Sequence, residues 1–325
     1  MKIWYLPLEK IETRYTLEWY NQFKEVFEKE GYDYEYIDGE KVVSDLKSKF
    51  FLDPVATNIW KLSQMKKLIK RIDEVKDDDI IFFPDLWFPS IEMLPYIKHL
   101  TDRKFKIVGI LHAGTYDVND LTYKSGMEYF GKELEQSWFS FIDKIFVATQ
   151  FHKDMILCRR EINPKKIIVT GLPVDVDKLK KYESKEKVNR IAFTGRKADE
   201  KGYDLVMKLK RKGYPIKVAL DYKFSKEEYY KFLGNSKIVF APSKQETFGY
   251  GVVEGMCMNC VPVVPDRLSF QEYVPDNFRY KKNSEIEEYL DFALKKKFFP
   301  FFRMMVEDYD YKNVIKKMIE EAQKC

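Results

Sequence analysis

The sequence predicts an α/β protein with two domains, each a doubly wound, Rossmann-like parallel sheet flanked by helices. Short apolar runs rich in β-branched and aromatic residues alternate with longer amphipathic segments, and a charged stretch separates two such series. With 325 residues, of which 45% are hydrophobic and 16% aromatic, the chain can form two packed cores. This composition excludes a largely disordered chain.

The apolar runs fall into two series of predicted strands. The first series covers residues 2–6, 34–37, 80–84, 106–111, 144–148 and 167–170, and the second covers residues 190–194, 216–220, 237–241 and 261–264. Most runs are continuously apolar rather than alternating, which is typical of strands buried on both faces of a parallel sheet.

The segments between the strands carry apolar residues at helical spacing. Predicted helices cover residues 16–30, 59–75, 126–141, 203–212, 226–233 and 311–324. Asn259 stands where a helix should end before the next strand, and Asn is one of the few residues that tolerate the left-handed position after a helix. The aromatic run at 297–302 contains a proline and predicts a bend between two C-terminal helices.

A domain boundary is expected in the charged stretch 171–189, which contains few apolar residues and is interpreted as a linker. We therefore expect an N-terminal domain over residues 1–172 and a C-terminal domain over residues 173–325, whose last helix packs back on the first domain.

Charge is distributed unevenly between these two halves. Residues 1–172 contain 26 basic and 28 acidic residues, whereas residues 173–325 contain 31 basic and 24 acidic residues. The positive C-terminal half favours an anionic ligand such as a nucleotide diphosphate. No basic stripe is strong enough to require nucleic acid.

The four cysteines do not suggest a disulfide framework in a chain of this size, and a reducing compartment is the simpler assumption. The pair Cys257 and Cys260 is interpreted as packing at a helix end, because no second pair completes a zinc site. The N-terminal residues lack the apolar core of a signal peptide, and no apolar run reaches membrane-spanning length. A soluble, cytoplasmic protein without a transmembrane segment is expected.

Residues 191–204 combine a strand end with three cations and two glycines. Gly195 allows a close turn, and Arg196 and Lys201 stand near the beginning of the next helix, whose free N–H groups favour anions. An arginine fork and a lysine point charge together suit a diphosphate. The alternative is a pair of surface cations in an ordinary strand–helix turn.

Residues 240–254 follow the same plan with carboxylates. A buried strand is followed by a loop with Glu246 and Gly249, and then by a helix that carries Glu254. A carboxylate can accept hydrogen bonds from neighbouring sugar hydroxyls, and a glycine turn exposes backbone N–H groups. The alternative is a capping loop followed by a surface glutamate.

The run ETFGYGVVEGM, which begins at Glu246, and the following NCVPVV resemble the Glu-x7-Glu signature of the family-four retaining glycosyltransferases, which have the GT-B fold. The upstream TGR and KG at 194–202, the VFAPS at 239–243, the TGLPVD at 170–175 and the QEYV at 271–274 resemble the same family in order and spacing. The resemblance covers roughly residues 165–275. The family's Asn-Gly is absent from the turn at 170–175.

The resemblance implies a role for each matching position. Arg196 and Lys201 contact the donor diphosphate with Gly195 beside them, Glu246 lies near the donor sugar, and Glu254 binds the ribose. The turn around Thr247, Phe248, Gly249 and Tyr250 faces the donor through its backbone. The implied substrate is a nucleotide-sugar such as a UDP- or GDP-sugar, and neither a metal nor another cofactor is expected.

His112 follows a predicted strand at the edge where sites of α/β proteins form. Family members often carry a histidine there facing the donor sugar, which makes His112 a candidate catalytic residue beside Arg196, Lys201 and Glu246. Asp117 lies nearby in the sequence and is a candidate to orient His112 or the acceptor. The alternative is chance placement of one histidine.

The loop after the first strand departs from the family pattern, because residues 6–16 contain no glycine. Arg14 and Tyr15 in this loop are acceptor-side candidates. The N-terminal run weakly resembles phage-encoded glycosyltransferases, some of which modify hydroxymethylated pyrimidines in DNA, so DNA is one candidate acceptor. A saccharide or lipid acceptor is the alternative. A non-catalytic sugar-nucleotide-binding protein, and a GT-B epimerase or phosphorylase, also remain open.

Overall fold

The computed structural model describes residues 1–44, 53–295 and 301–324 and contains two parallel sheets. In the first sheet the strands lie in the order β2 (Asp33–Tyr36), β1 (Lys2–Tyr5), β3 (Ile80–Phe83), β4 (Lys106–Ile110), β5 (Lys144–Val147) and β6 (Ile167–Val169). In the second sheet they lie in the order β11 (Arg279–Tyr280), β10 (Val261–Pro265), β9 (Ser236–Phe240), β7 (Val188–Phe193) and β8 (Ile216–Val218). Every strand pair in both sheets is parallel, as the continuously apolar runs predict. The predicted architecture of two doubly wound domains is therefore confirmed.

The elements of the first sheet and its helices alternate along the chain. They are β1 (Lys2–Tyr5), α1 (Tyr15–Lys29), β2 (Asp33–Tyr36), α2 (Pro54–Lys70), β3 (Ile80–Phe83), α3 (Met93–Thr101), β4 (Lys106–Ile110), α4 (Glu128–Phe141), β5 (Lys144–Val147), α5 (Gln150–Leu157) and β6 (Ile167–Val169). The central strand β3 is buried along its whole length, which explains its purely apolar sequence.

The second half repeats the alternation. It contains α6 (Val176–Lys180), β7 (Val188–Phe193), α7 (Tyr203–Arg211), β8 (Ile216–Val218), α8 (Lys226–Gly234), β9 (Ser236–Phe240), α9 (Tyr250–Cys257), β10 (Val261–Pro265), β11 (Arg279–Tyr280), α10 (Ile286–Lys295) and α11 (Tyr311–Gln323). Asn259 follows α9 with a φ of 53°, so its predicted left-handed conformation is confirmed. Cys257 and Cys260 are buried there.

Two predicted helices begin at different residues in the structure, and the sequence did not predict α3, α5, α6 or β11. Helix α2 begins five residues before the predicted position of 59, because the Asp53 side chain accepts from the N–H groups of Val55 and Ala56 and Pro54 occupies the first turn. Gly126, the predicted start of α4, has a φ of 79° inside a π-helical turn that precedes the helix. Strand β11 was not predicted, since two residues are too short for a periodic signal.

The stretch 171–189 is not an open linker. Leu172, Val174 and Leu179 are buried in the core, and a short helix, α6, forms within the stretch. Val174 also forms a bridge with Asp310 immediately before α11. The sequence did not reveal this packing, because the few apolar residues stand among charged ones. Their packing also involves segments remote in sequence, such as the one that contains Asp310.

Helix α11 packs against α1 of the first domain. The Tyr311 hydroxyl donates to Glu25 at 2.8 Å, and the Lys316 ammonium lies 2.9 Å from the Glu30 carboxylate. Of the bend predicted for residues 297–302, residues 297–300 lie outside the described residues. Across the described ranges, no helix combines the length and apolarity needed to cross a membrane.

Candidate functional site

A cleft of about 660 Å³ lies at the carboxyl edge of the second sheet and reaches the beginning of α1 in the first domain. Parallel sheets form their ligand sites at this edge, because the loops that leave the strands converge there. Nine of the predicted site residues line this large cleft: Arg14, Tyr15, Gly195, Arg196, Lys201, Glu246, Gly249, Tyr250 and Glu254.

Gly195 and Arg196 follow strand β7 directly. A Cβ atom at Gly195 would lie 2.8 Å from the Phe193 ring, so a larger residue would displace the strand end. The Arg196 guanidinium lies 3.0 Å from the Glu200 carboxylate, and about a third of its side chain is exposed. It is therefore an oriented cation at the cleft surface.

Lys201 is held by the loop that follows β9. Its ammonium donates to the Gln245 carbonyl at 2.9 Å, the Gln245 amide oxygen at 3.1 Å and the Glu246 carboxylate at 2.9 Å. These three contacts match the three donors of a lysine. The sequence predicted Lys201 and Glu246 in the same site, and the structure shows that they form an ion pair.

The turn between Glu246 and α9 depends on glycine at two positions. Gly249 has a φ of 83°, and a Cβ there would lie 2.7 Å from the Tyr273 hydroxyl. Gly251, in the first turn of α9, would place a Cβ 2.0 Å from the Thr194 Oγ1. The close approach at Gly251 brings the N-terminus of α9 to Thr194, which directly follows β7 beside the cleft.

Glu254 is buried at the base of the cleft and has two partners on α8. The Tyr229 hydroxyl donates to it at 2.7 Å, and the Lys226 ammonium lies 3.3 Å away. Lys226 also lies 3.5 Å from Glu18 on α1. Burial lowers the pKa of Lys226, but the carboxylates of Glu254 and Glu18 outweigh burial and raise it above its ordinary value.

Three further residues that line the cleft were not predicted from the sequence: Lys223, Lys226 and Tyr229. One usable signal was present: Ser225 and Glu228 form a capping box, which fixes the beginning of α8 at the carboxyl edge of the sheet. With these residues the cleft is lined by five cations and two carboxylates, so its charge suits an anion.

Thr247 and Phe248 contact neighbouring segments of the protein. The Thr247 hydroxyl donates to the His112 carbonyl at 3.1 Å, and the Thr149 hydroxyl donates to the Thr247 carbonyl at 2.9 Å. The Phe248 side chain is 2% exposed and packs edge-on against Tyr250 and Tyr309. Both residues thus connect the turn before α9 to its surroundings.

A second pocket, of about 270 Å³, lies at the carboxyl edge of the first sheet and shares Arg14, Tyr15 and Arg196 with the large cleft. We call it the small pocket. The rings of Tyr15 and Tyr250 stack 5.1 Å apart with an angle of 7° between their planes. This stack joins the two domains beside the line where the cleft and pocket meet.

His112 lines the small pocket, and its Nε2 donates to the Pro84 carbonyl at 2.8 Å. Burial lowers the pKa of His112, so its ring is neutral at neutral pH. Asp117 lies outside the lining of both cavities; it is 9% exposed, and burial raises its pKa. Asp117 interacts with Gln245, which in turn binds Lys201.

Comparison with known proteins gives matches in structure alone. No family model matches the sequence, and a search of curated proteins found no match. Sucrose-phosphate synthase from Thermosynechococcus elongatus superposes with a TM-score of 0.69 at 9% identity, over 98% of each chain. The pneumococcal O-GlcNAc transferase GtfA, solved with UDP and GlcNAc, gives a TM-score of 0.64 at 10% identity, over 100% of this chain and 99% of its own.

The chain has the GT-B fold. Anabaena HepE, solved with UDP and glucose, gives a further match, with a TM-score of 0.56 at 12% identity over 100% of this chain and 98% of its own. The GT-B fold predicted from the Glu246–Glu254 region is therefore confirmed. Near-complete coverage of both chains means that the likeness extends over both sheets.

Proposed function

We propose that this protein is a retaining glycosyltransferase that moves a sugar from a nucleotide-sugar donor to an acceptor hydroxyl. One observation carries the proposal. The large cleft is lined by Arg196 and Lys201, two cations that suit a diphosphate, and by Glu246 and Glu254, two carboxylates that suit the hydroxyls of a sugar and a ribose. GtfA and HepE, which share the fold, were solved with UDP and a sugar.

In the proposed complex the diphosphate binds beside Arg196 and Lys201 at the N-terminus of α9. Lys201 then exchanges part of its contact with Gln245 and Glu246 for phosphate oxygens. Glu254, fixed by Tyr229 and Lys226, accepts hydrogen bonds from the ribose. Cations that face the phosphate stabilise the negative charge of the leaving group.

The proposed reaction breaks the bond between the anomeric carbon and the diphosphate oxygen, and forms a bond between that carbon and the acceptor oxygen. The acceptor proton passes to the departing phosphate. Attack on the face that the leaving group vacates retains the anomeric configuration. His112 is neutral, and its Nε2 N–H is already bonded to the Pro84 carbonyl. We therefore propose that its ring contacts a sugar and does not transfer a proton.

The cations Arg196 and Lys201 stand where a divalent ion would otherwise neutralise the diphosphate, so we propose transfer without a metal. The test starts from a thermal-shift screen of UDP-, GDP- and ADP-sugars, because a ligand of the native state raises the melting temperature. The selected donor is then incubated with a panel of acceptors, with and without EDTA. We expect transfer in both conditions and a product with the donor's anomeric configuration.

Each arm of this test can fail separately. Inversion of configuration contradicts the retaining mechanism, and loss of transfer with EDTA contradicts metal independence. Donor binding without release of nucleotide on any acceptor favours a non-catalytic sugar-nucleotide-binding protein. The absence of donor binding removes the proposal as a whole.

A further inference from the structure

The small pocket has a composition different from that of the large cleft. Its walls come from the loops after β1, β3 and β4 and from α2, with Arg196 contributed by the second domain. Aromatic and aliphatic side chains supply most of its surface, including Trp60, Trp87 and Tyr15. Its volume of about 270 Å³ is close to the lower end of the range of ligand pockets, roughly 300–1,000 Å³. The space suits one ring with its substituents.

Three carboxylates line the pocket, and two of them have hydroxyl neighbours. The Glu9 carboxylate accepts from the Thr57 hydroxyl at 2.9 Å, and the Asp120 carboxylate accepts from the Thr122 hydroxyl at 2.7 Å. Each carboxylate oxygen has two lone pairs, so these groups keep capacity for further donors. A ligand that presents several hydroxyl groups matches this set.

Asp85, the third carboxylate, is the most firmly positioned. It follows β3 at the edge of the sheet, accepts from the Trp87 N–H at 3.1 Å, and lies 2.7 Å from the Lys61 ammonium. Lys61 also donates to the Trp87 carbonyl, and its side chain is 8% exposed. Burial raises the pKa of Asp85, but the Lys61 charge and the other neighbouring groups, among them the Trp87 N–H, together outweigh burial and lower it below its ordinary value. Asp85 is therefore an ionised acceptor at neutral pH.

We propose that the small pocket binds the acceptor as an uncharged sugar ring, and that Asp85 accepts a hydrogen bond from one of its hydroxyls. This inference rests on the proposed function and names the acceptor class for the same site. Arg14, Tyr15 and Arg196 border both cavities, so a ring in the small pocket lies next to the sugar of a donor in the large cleft. Aromatic side chains and carboxylates together suit the apolar face and the hydroxyls of a sugar.

A nucleic-acid acceptor fits this surface less well. Its phosphates would approach a pocket whose three carboxylates, Glu9, Asp85 and Asp120, balance the three lining cations Arg14, Lys61 and Arg196. Lys61 is buried and paired with Asp85, and the Arg196 guanidinium is paired with Glu200. Binding to a phosphate backbone depends on cations that can release counterions. The charge of the small pocket therefore favours a neutral acceptor over DNA.

The first experiment measures binding directly. The full chain, loaded with UDP or GDP according to the donor screen, is titrated with methyl α- and β-glycosides of glucose, galactose, mannose and N-acetylglucosamine, followed by saturation-transfer NMR. In parallel, a duplex containing 5-hydroxymethylcytosine is incubated with the protein and the nucleotide-sugar selected by the donor screen. We expect at least one glycoside to bind and the duplex not to be glycosylated. Binding of no glycoside, or transfer to the duplex alone, would overturn the proposal.

Two variants locate the binding site. Asp85→Asn removes the charge and keeps the shape, and we expect it to weaken glycoside binding roughly 10- to 100-fold, the effect of one charge-assisted hydrogen bond. Leu121→Trp fills the small pocket and is expected to abolish glycoside binding. Leu100→Trp, on the exposed side of α3, is the matched control and should bind as the wild type does.

Donor binding separates failure of this inference from failure of the proposed function. Both pocket variants should retain the thermal shift that the nucleotide-sugar produces in the wild type. If the wild type shows no shift with any donor, the proposed function fails. If donors bind but Leu121→Trp leaves glycoside binding intact, the small pocket is not the acceptor site, whatever happens to Asp85→Asn.

Discussion

Glu246 lines the large cleft from the loop between β9 and α9. Its carboxylate contacts Lys201, and its Cγ lies 3.3 Å from the Cβ position of Gly249 at the beginning of α9. It therefore orients the lysine and borders the turn that would face the donor sugar. Removal of this carboxylate frees the lysine and takes away a hydrogen-bond acceptor.

We predict that Glu246→Ala lowers the rate of sugar transfer by about 10²–10³-fold, the usual effect of one charged group in a preorganised site. The fold should persist, as judged by circular dichroism. Glu227→Ala, which removes an exposed glutamate paired with Lys231 on α8, is the control and should leave the rate unchanged. Turnover near the wild-type value in Glu246→Ala would remove this residue from the site.

His152 gives a prediction for pH rather than for activity. It is buried on α5, within 2.6 Å of the Tyr116 hydroxyl, and burial lowers its pKa from 6.5 to about 3. Between these two values the unfolded chain binds a proton at this site that the folded chain does not. The contribution of His152 to stability is therefore complete above pH 6.5 and is lost progressively as the pH falls toward 3.

We predict a slope of up to about 1.4 kcal/mol per pH unit in the free energy of unfolding from this one group. His152→Gln should lose that part of the slope, even though the variant is less stable at neutral pH. The measurement is urea unfolding of both proteins between pH 4 and 6, a window that lies inside the interval set by the two pKa values. Parallel pH profiles would show that His152 is already protonated in the fold.

Site residues were predictable from the sequence where several of them stand close together in one loop. Gly195, Arg196, Lys201, Glu246 and Glu254 stand in short segments whose glycines and charges indicate an anion site, and all five line one cleft. Lys226 and Tyr229 were missed because their importance depends on the packing of α8 beside α9. Asp85 was missed for the same reason, since its partner Lys61 is 24 residues away.

At the scale of elements, strands were predicted within one or two residues, apart from β11, because a strand buried on both faces has a continuously apolar sequence. Helix starts were less predictable. The Asp53 cap and Pro54 fix the beginning of α2, whereas the apolar periodicity becomes visible only from residue 59. Helix α6 was hidden in a charged segment, since only Val176 and Leu179 of its residues are buried.

The close approach of α9 to β7 gives a prediction for one element. Gly251→Ala places a methyl group 2.0 Å from the Thr194 Oγ1, so the helix must shift away from the strand end. We expect a loss of about 1–3 kcal/mol in the free energy of unfolding, the cost of overpacking a core. Donor binding should weaken with it, because the N-terminus of α9 moves away from the cleft.

The double variant Gly251→Ala with Thr194→Ala removes the contacted hydroxyl and tests the cause. Part of the stability and of the donor binding should return, although the Thr194 Cβ remains 2.8 Å from the added methyl group. Chemical unfolding and the donor thermal shift measure the two effects on the same samples. Equal damage in the single and double variants would show that steric contact with Thr194 is not the reason.

At the scale of the molecule, polar contacts across the two domains define the cleft. The Trp19 indole donates to the Pro173 carbonyl and the Tyr250 hydroxyl, and Thr247 donates to the carbonyl of His112. Glu272, in the turn after β10, accepts from the N–H groups of Gln150 and Phe151 at 2.9 and 2.7 Å. It thereby caps α5 of the other domain.

We predict that Glu272→Ala lowers the free energy of unfolding by about 0.5–2 kcal/mol, the cost of removing a helix N-cap. Donor affinity should fall as well, since the cap joins the two walls of the cleft. The neighbouring variant Gln271→Ala is the control, because the Gln271 side-chain amide donates to Asp266 within the same domain. Unchanged stability in Glu272→Ala would mean that the two domains are held together elsewhere.

The arrangement of two domains was predictable from the repeated series of strands and helices, and the GT-B fold from the motif between Glu246 and Glu254. The contacts between the domains were not, because Glu18, Tyr15 and Glu272 carry no local signal of a partner more than a hundred residues away. The small pocket follows from those contacts, since Arg196 reaches it only when the two sheets face each other.

The central claim is that the large cleft binds the diphosphate of a nucleotide-sugar through its fixed cations. Isothermal titration of UDP-, GDP- and ADP-sugars into the wild type, Arg196→Ala and Arg211→Ala measures it directly, with Arg211 an exposed arginine at the end of α7. We expect one donor class to bind the wild type and Arg211→Ala with equal affinity. The same donor should bind Arg196→Ala at least about 10-fold more weakly. Equal affinity for all three proteins, or no binding of any donor, would contradict it.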